Sequence, residues 1–306
     1  MQIQTKMSNY HNPVLLKESI DALAIKEDGV YVDVTFGGGG HSKEILSRLG
    51  EKGKLFAFDQ DPDALENEID DERFVLIPEN FRYISRFLRF HRIKKVDGVL
   101  ADLGVSSHQF DVAERGFSTR FEGDLDMRMN QKSKKSAQDV INNYSEEKLA
   151  ELLFLYGELR NSRKLAKTIV HERASKKIET SFQLKEVLKA YLPNAKEHKI
   201  LAQIFQAIRI EVNEELEVLK EFLEQIPSLL NDNGRLSVIS YHSLEDRLVK
   251  RFIRTGLFEG EPKKDVFGNS NEPLRKVGKL IIPTPQEIKI NNRARSAKLR
   301  IATLKG

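Results

Sequence analysis

The sequence contains no cysteine among its 306 residues. This absence excludes disulfides, zinc sites built from thiolates and a cysteine nucleophile, so any chemistry must use oxygen and nitrogen groups. Long apolar runs are absent as well, because no stretch approaches the roughly eighteen unbroken apolar residues of a membrane-spanning helix. The first 19 residues lack the basic head, apolar centre and small-residue cleavage site of a secretory signal. We therefore expect a cytoplasmic protein without membrane attachment.

Clusters of metal-binding residues are equally scarce. The seven histidines are scattered, and the pair His171-Glu172 lacks the second histidine of a zinc-protease helix. A calcium-binding loop is not expected in a chain with a surplus of lysine and arginine. We predict that the protein requires no metal.

Positive charge is unevenly distributed along the chain, whose net charge is +4. Residues 271–306 carry nine lysines or arginines against two glutamates, and residues 82–95 carry six against no acid. Such a local surplus is typical of proteins that bind a polyanion, although a solvated surface is an equal alternative for any one run.

Strand and helix patterns alternate through the first hundred residues. Short runs rich in β-branched or aromatic residues occupy 29–35, 54–59, 73–79 and 96–103. The intervening segments have helical spacing, and in one of them Asp61 is a predicted N-cap before Pro62. This alternation predicts an α/β fold with a parallel, doubly wound sheet and helices on both faces.

The pattern changes after residue 103, where about a hundred residues contain only amphipathic helical segments. Strand character returns at 234–242, 279–284 and 296–305. We predict one α/β domain built from residues 1–111 and 209–306, the latter with a basic C-terminal segment. Residues 112–208 form an inserted all-helical domain in this interpretation.

Four consecutive glycines in TFGGGGHSKEIL, residues 35–46, follow the first strand. A phosphate-binding P-loop counted from Gly37 would place Ser42 where its second glycine belongs, so that template fails. A dinucleotide-binding loop lacks its third glycine in either register, which weakens that alternative without excluding it.

The loop of S-adenosylmethionine-dependent methyltransferases fits better, because Asp33, Thr35, Gly37 and Gly39 fall at its spacing with Thr35 in place of the first glycine. Glycines there allow the main chain to lie against a nucleoside cofactor. Asp59 ends the second predicted strand, where a carboxylate can accept hydrogen bonds from both ribose hydroxyls. The alternative is a glycine-rich turn with a surface aspartate.

The fourth strand ends in ADLGVSSHQFD, residues 101–111. Ligands of open parallel sheets lie beyond the carboxyl ends of the strands, so Asp102 should face the same crevice as Gly39 and Asp59. The polar turn after it, including Ser106, is placed where a substrate amine would meet the methyl donor. A buried capping role for Asp102 is the alternative.

Eight segments together resemble the bacterial ribosomal RNA small-subunit methyltransferase H family, also called MraW. They are HNPVLLKE, VDVTFGGGGHS, ADLGVSSHQFD, ERGFS, LDMRM, FQAIRIEVNEEL, GRLSVISYHSLEDRLVKRF and NNRARSAKLRIA, in the family's order from residue 11 to residue 302. The resemblance implies a Rossmann-like class I S-adenosylmethionine-dependent methyltransferase fold with an inserted helical domain. It also implies methyl transfer to the exocyclic N(4) amine of a decoding-centre cytosine in 16S ribosomal RNA, in the small ribosomal subunit.

The resemblance implies a set of S-adenosyl-L-methionine contacts at matching positions. They are Gly39, Gly40, His41, Asp59, Phe81, Asp102 and Gln109. The chain departs from many members at Gly38, where they have arginine or alanine, and at His108, where they have proline. Neither departure falls on an expected contact.

Amine methylation also follows from the chemistry that the residues allow. The cytosine amine is a poor nucleophile, so the protein must align nitrogen, methyl and sulfur and supply acceptors for the amine hydrogens. Asp102 is the first candidate acceptor, and the turn containing Ser106 is the second. Methylation at carbon 5 would need a cysteine nucleophile, which the chain lacks.

RNA contacts are expected from two segments. NNRARSAKLR offers Arg293 and Arg295 in a loop able to contact phosphates, and SYHSLEDR places His242 and Ser243 at the end of the fifth predicted strand. A basic hairpin and a structural histidine are the respective alternatives. The aromatic residues within 82–95 are more simply explained as core contacts of a crossover helix.

Two other functions compete with RNA methylation at this stage. An NAD-type oxidoreductase is disfavoured by the missing third glycine and by the lack of a second nucleotide-binding half. A non-catalytic ribosome-assembly protein that binds RNA would have no use for both Asp59 and Asp102.

Overall fold

The computed structural model describes residues 13–262 and 272–305. His11 and Asn12, which open the HNPVLLKE match, lie outside the described residues, as does the start of the basic C-terminal segment at Asn271. Within the described residues, no helix has both the length and the apolar character needed to cross a membrane.

The described residues form seven strands and twelve α-helices. The strands are β1 (Val30–Asp33), β2 (Lys54–Phe58), β3 (Phe74–Ile77), β4 (Val96–Asp102), β5 (Leu230–Ser240), β6 (Leu274–Ile281) and β7 (Lys298–Leu304). The helices are α1 (Leu16–Asp21), α2 (Gly40–Arg48), α3 (Ile84–Phe90), α4 (Ser107–Asp111), α5 (Ala137–Asn143), α6 (Glu146–Leu155), α7 (Ser162–Ser175), α8 (Ser181–Val187), α9 (Glu197–Asn213), α10 (Glu215–Leu229), α11 (Ser243–Thr255) and α12 (Pro285–Ile290). Short 3-10 helices cover Pro62–Asn67, Phe81–Tyr83, Ala113–Arg115, Lys189–Tyr191, Asn194–Lys196 and Asn292–Ser296.

All seven strands belong to one sheet in the order β3-β2-β1-β4-β5-β7-β6. Strands β1 to β5 are parallel to one another, whereas β7 runs antiparallel to both β5 and β6. The strand order reverses between β1 and β4, which is where open α/β sheets bind ligands. The predicted α/β fold class is confirmed.

The sheet buries both faces, because alternate side chains of each central strand enter different cores. Val32 packs with α3, α10 and α11 on one face, whereas its neighbour Tyr31 packs with α1 and α2 on the other. Phe58 and Ala57 on β2 alternate in the same way. Helices therefore pack on both faces of the sheet, which fixes the positions of the strand ends.

The chain divides into two compact units, one formed by Met1–Gly104 with Leu219–Gly306 and the other by Val105–Val218. The sequence had placed these junctions after residues 111 and 208. The second unit has its own core, which includes Val140, Leu149, Leu165 and Ile204.

Some predicted elements differ from the structure, among them the strand predicted at 279–284, which is β6 at Leu274–Ile281. The segment 199–226 reads as one continuous helix, but Glu214 adopts a left-handed conformation with φ 53° and separates α9 from α10. The segment after Asp61 forms a 3-10 helix, although the predicted cap is present: the Asp61 carboxylate accepts from the Asp63 amide at 3.1 Å.

Candidate active site

Polar side chains gather at the carboxyl ends of four adjacent strands of the first unit. Asp33 and Asp102 are the last residues of β1 and β4, while Asp59 and Tyr241 directly follow β2 and β5. Because these strands are parallel neighbours, their carboxyl ends lie side by side at the same end of the sheet. The sequence predicted Asp59 and Asp102 there and missed Tyr241.

Asp33 fixes the shape of the loop that carries the four glycines, residues 37–40, which we call the glycine loop. It is fully buried, and its Oδ1 accepts from the Thr35 amide at 3.1 Å while its Oδ2 accepts from the Ser42 hydroxyl at 2.7 Å. Burial raises the pKa of the Asp33 carboxyl, whereas the nearby His41 and the hydrogen bonds oppose this rise. Asp33 therefore ties the start of the loop to the first turn of α2.

Gly39 and Gly40 are glycines for different physical reasons. Gly39 has φ +73°, and a Cβ there would lie 3.0 Å from the Phe36 ring. At Gly40, the first residue of α2, a Cβ would lie only 2.3 Å from Cγ of Pro13. The first amides of a helix have no acceptor within the helix, so they are available to a ligand. The loop thus presents bare backbone beside β1.

Asp59 connects the glycine loop to the end of β2. Its Oδ2 accepts from the Gly37 amide at 2.8 Å, and its Oδ1 accepts from the Asp61 amide at 2.9 Å. Burial is the main cause that raises the pKa of Asp59 to about 6, and the two backbone hydrogen bonds oppose it. Each carboxylate oxygen has a second lone pair. Asp59 can therefore hold the loop and still accept two hydroxyl groups.

Phe81 lies in the 3-10 helix that follows β3, and it is partly buried. Its ring makes an edge contact with Phe222 at a centroid distance of 5.3 Å. Nearby, Asn80 donates from its side-chain amide to Oε1 of Gln60 at 2.9 Å. This amide pair was not predicted from the sequence, although Gln60 and Asn80 come shortly after the carboxyl ends of β2 and β3.

Asp102 is held by bonds on both its main chain and its side chain. Its amide donates to Oγ1 of Thr35 at 2.7 Å, and its Oδ1 accepts from the Tyr241 hydroxyl at 2.8 Å. Burial raises the pKa of Asp102 to about 6, whereas His41 and the Tyr241 hydrogen bond lower it. The side chain remains 22% exposed, so this carboxylate can contact a ligand.

His41 approaches the other oxygen of this carboxylate. Its Nδ1 lies 3.8 Å from Oδ2 of Asp102, while its Nε2 lies 3.2 Å from the carbonyl oxygen of Val14. A carbonyl oxygen only accepts, so Nε2 carries a proton. The His41 side chain is buried against Val14 and Asp102, which leaves its main chain at the start of α2 as the part facing the loop.

Tyr241 is positioned by the start of α11. Its amide donates to Oε2 of the buried Glu245 at 2.9 Å, and the His242 amide donates to the same oxygen at 3.3 Å. Burial and the neighbouring Asp102 raise the pKa of Tyr241 well above its usual value, so its hydroxyl stays protonated and donates. His242 is the N-cap of α11, and its Nδ1 accepts from the Glu245 amide at 3.4 Å. His242 therefore has a structural role as the N-cap of α11, which was the alternative to an RNA contact.

A cavity of about 330 Å³ adjoins Tyr241 in the first unit. Its polar lining includes His242, Ser243, Arg295 and Lys298, and its apolar wall consists of Ile282, Pro283 and Ile288. The cavity brings together three of the four predicted RNA-binding residues. The fourth, Arg293, is partly buried in the 3-10 helix Asn292–Ser296, where the sequence had predicted a loop.

Ser106 and Gln109 belong to the second unit, where they form the start of α4. Oγ of Ser106 accepts from the Gln109 amide at 3.2 Å, and Oε1 of Gln109 accepts from the Ser106 amide at 3.0 Å. This reciprocal capping box keeps Gln109 buried. The catalytic role of Ser106 and the cofactor role of Gln109 remain predictions.

Comparison with known proteins adds an independent observation. The model of the MraW methylase family matches residues 8–305. A protein of Christiangramia forsetii called ribosomal RNA small subunit methyltransferase H is 68% identical over 296 residues, which cover 97% of this chain and 98% of that protein. The protein of the same name from Flavobacterium johnsoniae is 66% identical over 298 residues, with 97% and 99% covered.

Among solved structures, an rRNA methylase from Streptococcus thermophilus superimposes with a TM-score of 0.43 at 13% sequence identity. The superposition covers 94% of this chain and 95% of that chain.

Proposed function

The chain belongs to the MraW methylase family, and we propose that it methylates the exocyclic N(4) amine of a decoding-centre cytosine in 16S ribosomal RNA. The methyl donor in this proposal is S-adenosyl-L-methionine. Two relatives more than 60% identical to the chain carry the name of a small-subunit ribosomal RNA methyltransferase, which supports the RNA substrate. An oxidoreductase that uses NAD has no comparable support.

The residues at the carboxyl ends of the strands fit the cofactor. Asp59 keeps a free lone pair on each oxygen for the two ribose hydroxyls, and bare backbone at Gly39 and Gly40 leaves room for the amino-acid portion. The complete set that we propose to hold the cofactor is Gly39, Gly40, His41, Asp59, Phe81, Asp102 and Gln109. When bound, the cofactor supplies an electrophilic sulfonium methyl group.

The observation that carries the proposed reaction is the environment of Asp102. Tyr241 occupies Oδ1, and Oδ2, which lies 3.8 Å from Nδ1 of His41, has two lone pairs and can accept a hydrogen of the substrate amine. With its pKa raised to about 6, the carboxylate is ionised at neutral pH and basic enough to attract a proton as the amine becomes cationic. The hydroxyl of Ser106 is the second acceptor that we propose.

The choice of nitrogen over carbon 5 follows from the composition. Methylation of ring carbon 5 proceeds through a covalent adduct with a cysteine nucleophile, and the sequence has no cysteine. Transfer to the amine requires only alignment and a proton acceptor. The reaction needs no metal ion, because the methyl group is already activated by the sulfonium.

The cavity beside Tyr241 is our proposed entry point for RNA. Its volume of about 330 Å³ lies within the range of small-molecule sites, roughly 300–1,000 Å³. Arg295 offers positive charge for phosphates, while His242 and Ser243 offer polar contacts to a nucleotide. Arg293 completes the proposed set from its neighbouring 3-10 helix. A ribosomal RNA substrate also implies that the enzyme acts in the cytoplasm.

A calorimetric titration tests the cofactor assignment. We expect micromolar binding of S-adenosyl-L-methionine and no binding of NAD, and the opposite result would overturn the proposal. Mapping methylated cytosines of small-subunit RNA from cells with and without the gene tests the substrate. If one cytosine is methylated in cells with the gene and unmethylated in cells without it, the result supports catalysis and excludes a purely RNA-binding role.

A further inference from the structure

A second concave surface of the first unit lies between α11 and the edge strand β6, and we call it the edge groove. It has a volume of about 440 Å³. Seven cations line it, and five of them come from the helix (Lys250 and Arg254) and from the strand (Arg275, Lys276 and Lys279). These five side chains belong to exposed residues. The groove lies outside the machinery described above, which is built on the strand ends.

Among the described residues, most of the positive charge that lines the edge groove is not neutralised. Within residues 13–262 and 272–305, none of these five cations has an ion-pair or hydrogen-bond partner on its side chain. The one acid that lines the groove, Glu272, is paired with Lys305 at 2.8 Å. A sixth cation, Arg300, is neutralised by Asp246 at 2.7 Å. The unpaired charges therefore sum to a strongly positive surface.

Two ordinary explanations account for only part of this pattern. Lysines on an edge strand prevent pairing with another sheet, which suits Lys276 and Lys279. A cation in the last turn of a helix interacts well with the helix dipole, which suits Arg254. Neither explains why Lys250 lies one turn before Arg254, where two like charges four residues apart repel each other. An anion that binds both elements removes this cost.

The groove and the cavity beside Tyr241 are neighbouring surfaces of the first unit. Lys298 lines the cavity and Arg300 lines the groove, and both contact Asp246 of α11. Strand β6 has eight residues, so it extends about 26 Å, enough to face several successive phosphates. A linear polyanion that enters the cavity can thus pass directly onto the groove.

We propose that the edge groove binds the phosphodiester backbone of the substrate RNA at nucleotides that flank the target. This inference rests on the proposed RNA methyltransferase function and adds a second contact surface to it. Phosphate contacts of this kind set affinity and register without reading bases. An acidic protein segment is the competing occupant, and the experiment distinguishes the two.

The test compares two charge-reversal variants with a matched control. One variant carries Arg275→Glu, Lys276→Glu and Lys279→Glu on the strand, and the other carries Lys250→Glu and Arg254→Glu on the helix. The control carries Lys52→Glu and Lys54→Glu, two exposed lysines at the opposite end of β2 from the site. Melting temperatures verify folding, and the conservative variant Arg275→Lys should retain wild-type affinity.

Affinity for unmethylated small ribosomal subunits is measured against salt concentration. We expect both groove variants to bind at least tenfold more weakly, with the strand variant reducing the slope of log affinity against log salt by about two. Affinity for S-adenosyl-L-methionine and kcat at saturating RNA should match the control. Unchanged RNA affinity and slope would overturn the inference while leaving the enzyme assignment intact.

Two further outcomes separate the claims. Variants that lose binding to a polyglutamate peptide but keep wild-type RNA affinity would assign the groove to an acidic protein and overturn the inference. A wild-type protein that binds small subunits but not S-adenosyl-L-methionine would instead refute the proposed function.

Discussion

Asp59 fixes the glycine loop, and we propose that the same side chain offers acceptors to a ribose. Replacing Asp59 by alanine should weaken S-adenosyl-L-methionine binding by about 10- to 100-fold, because hydrogen bonds to a charged group contribute about 1.5–3 kcal/mol. Calorimetry measures the change. Glu66→Ala is the control, because Glu66 is an exposed acid on the 3-10 helix that follows the same strand. Equal affinity of the two variants would remove the ribose role.

The ionisation of Asp102 predicts the pH dependence of the reaction. Only the carboxylate accepts a proton, so kcat at saturating substrates should fall as the pH drops through about 6. The Tyr241 hydrogen bond lowers the pKa of Asp102, so Tyr241→Phe should move this acidic limb to higher pH. Tyr83→Phe, which removes the hydroxyl of an exposed tyrosine in the 3-10 helix after β3, should leave it in place. An identical profile in both variants would exclude the Tyr241–Asp102 link.

The same carboxyl should also affect stability. Its pKa rises on folding from 3.8 to about 6, so the folded state binds the proton more tightly than the unfolded state. Ionised Asp102 therefore lowers the free energy of unfolding above pH 6, and this penalty disappears as the pH falls towards 4. Asp102→Asn should stabilise the unliganded protein at pH 8 by about 1–3 kcal/mol and have little effect at pH 4. Chemical denaturation at both pH values measures this, and equal effects would contradict the account.

Single residues were predictable where chemistry and position coincide. Asp59 and Asp102 are acids at predicted strand ends, and both lie among the polar residues at the carboxyl ends of the strands. Tyr241 was missed because a tyrosine after a strand usually serves packing, and its bond to Asp102 joins residues 139 positions apart. Such a contact depends on the pairing of β4 with β5, which the local sequence does not determine.

At the level of elements, the glycine loop depends on a close approach that only the fold reveals. Gly40→Ala would place a Cβ 2.3 Å from Cγ of Pro13, so it should cost about 1–3 kcal/mol of stability and displace the start of α2. Gly38→Ala is the matched control, because many relatives were expected to carry alanine or arginine there and its φ is not positive. Melting temperature and cofactor affinity report both effects. Equal tolerance of the two substitutions would show that the Pro13 contact is unimportant.

Element type was more predictable than element boundaries. Apolar runs located β1 to β5 and β7, because buried strands are rich in apolar residues, whereas the run predicted at 279–284 overlaps β6 only at residues 279–281. The break at Glu214 was not foreseen, since glutamate favours helix and the apolar spacing continues across it. The shift of β6 towards residue 274 reflects its position at the sheet edge, where exposed polar residues hide the strand pattern.

At the scale of the whole molecule, the first unit concentrates chemistry at one end of the sheet and positive charge along its antiparallel edge. The chain returns from the second unit through α10, and the strands that follow supply Tyr241, the cavity and the edge groove. The early strands β1, β2 and β4 supply the acids. We infer that the cofactor binds at the ends of β1, β2 and β4, whereas RNA binds beside the later strands of the same sheet.

The most direct test of this account identifies the atom that receives the methyl group. Small ribosomal subunits from cells that lack the gene are incubated with the enzyme and S-adenosyl-L-methionine bearing a deuterated methyl group, and the RNA is digested to nucleosides for mass spectrometry. The account predicts that one cytidine gains the deuterated methyl on its N(4) amine, with the product co-eluting with an N(4)-methylcytidine standard. Label that appears on carbon 5 of cytosine, on another base or nowhere would contradict it.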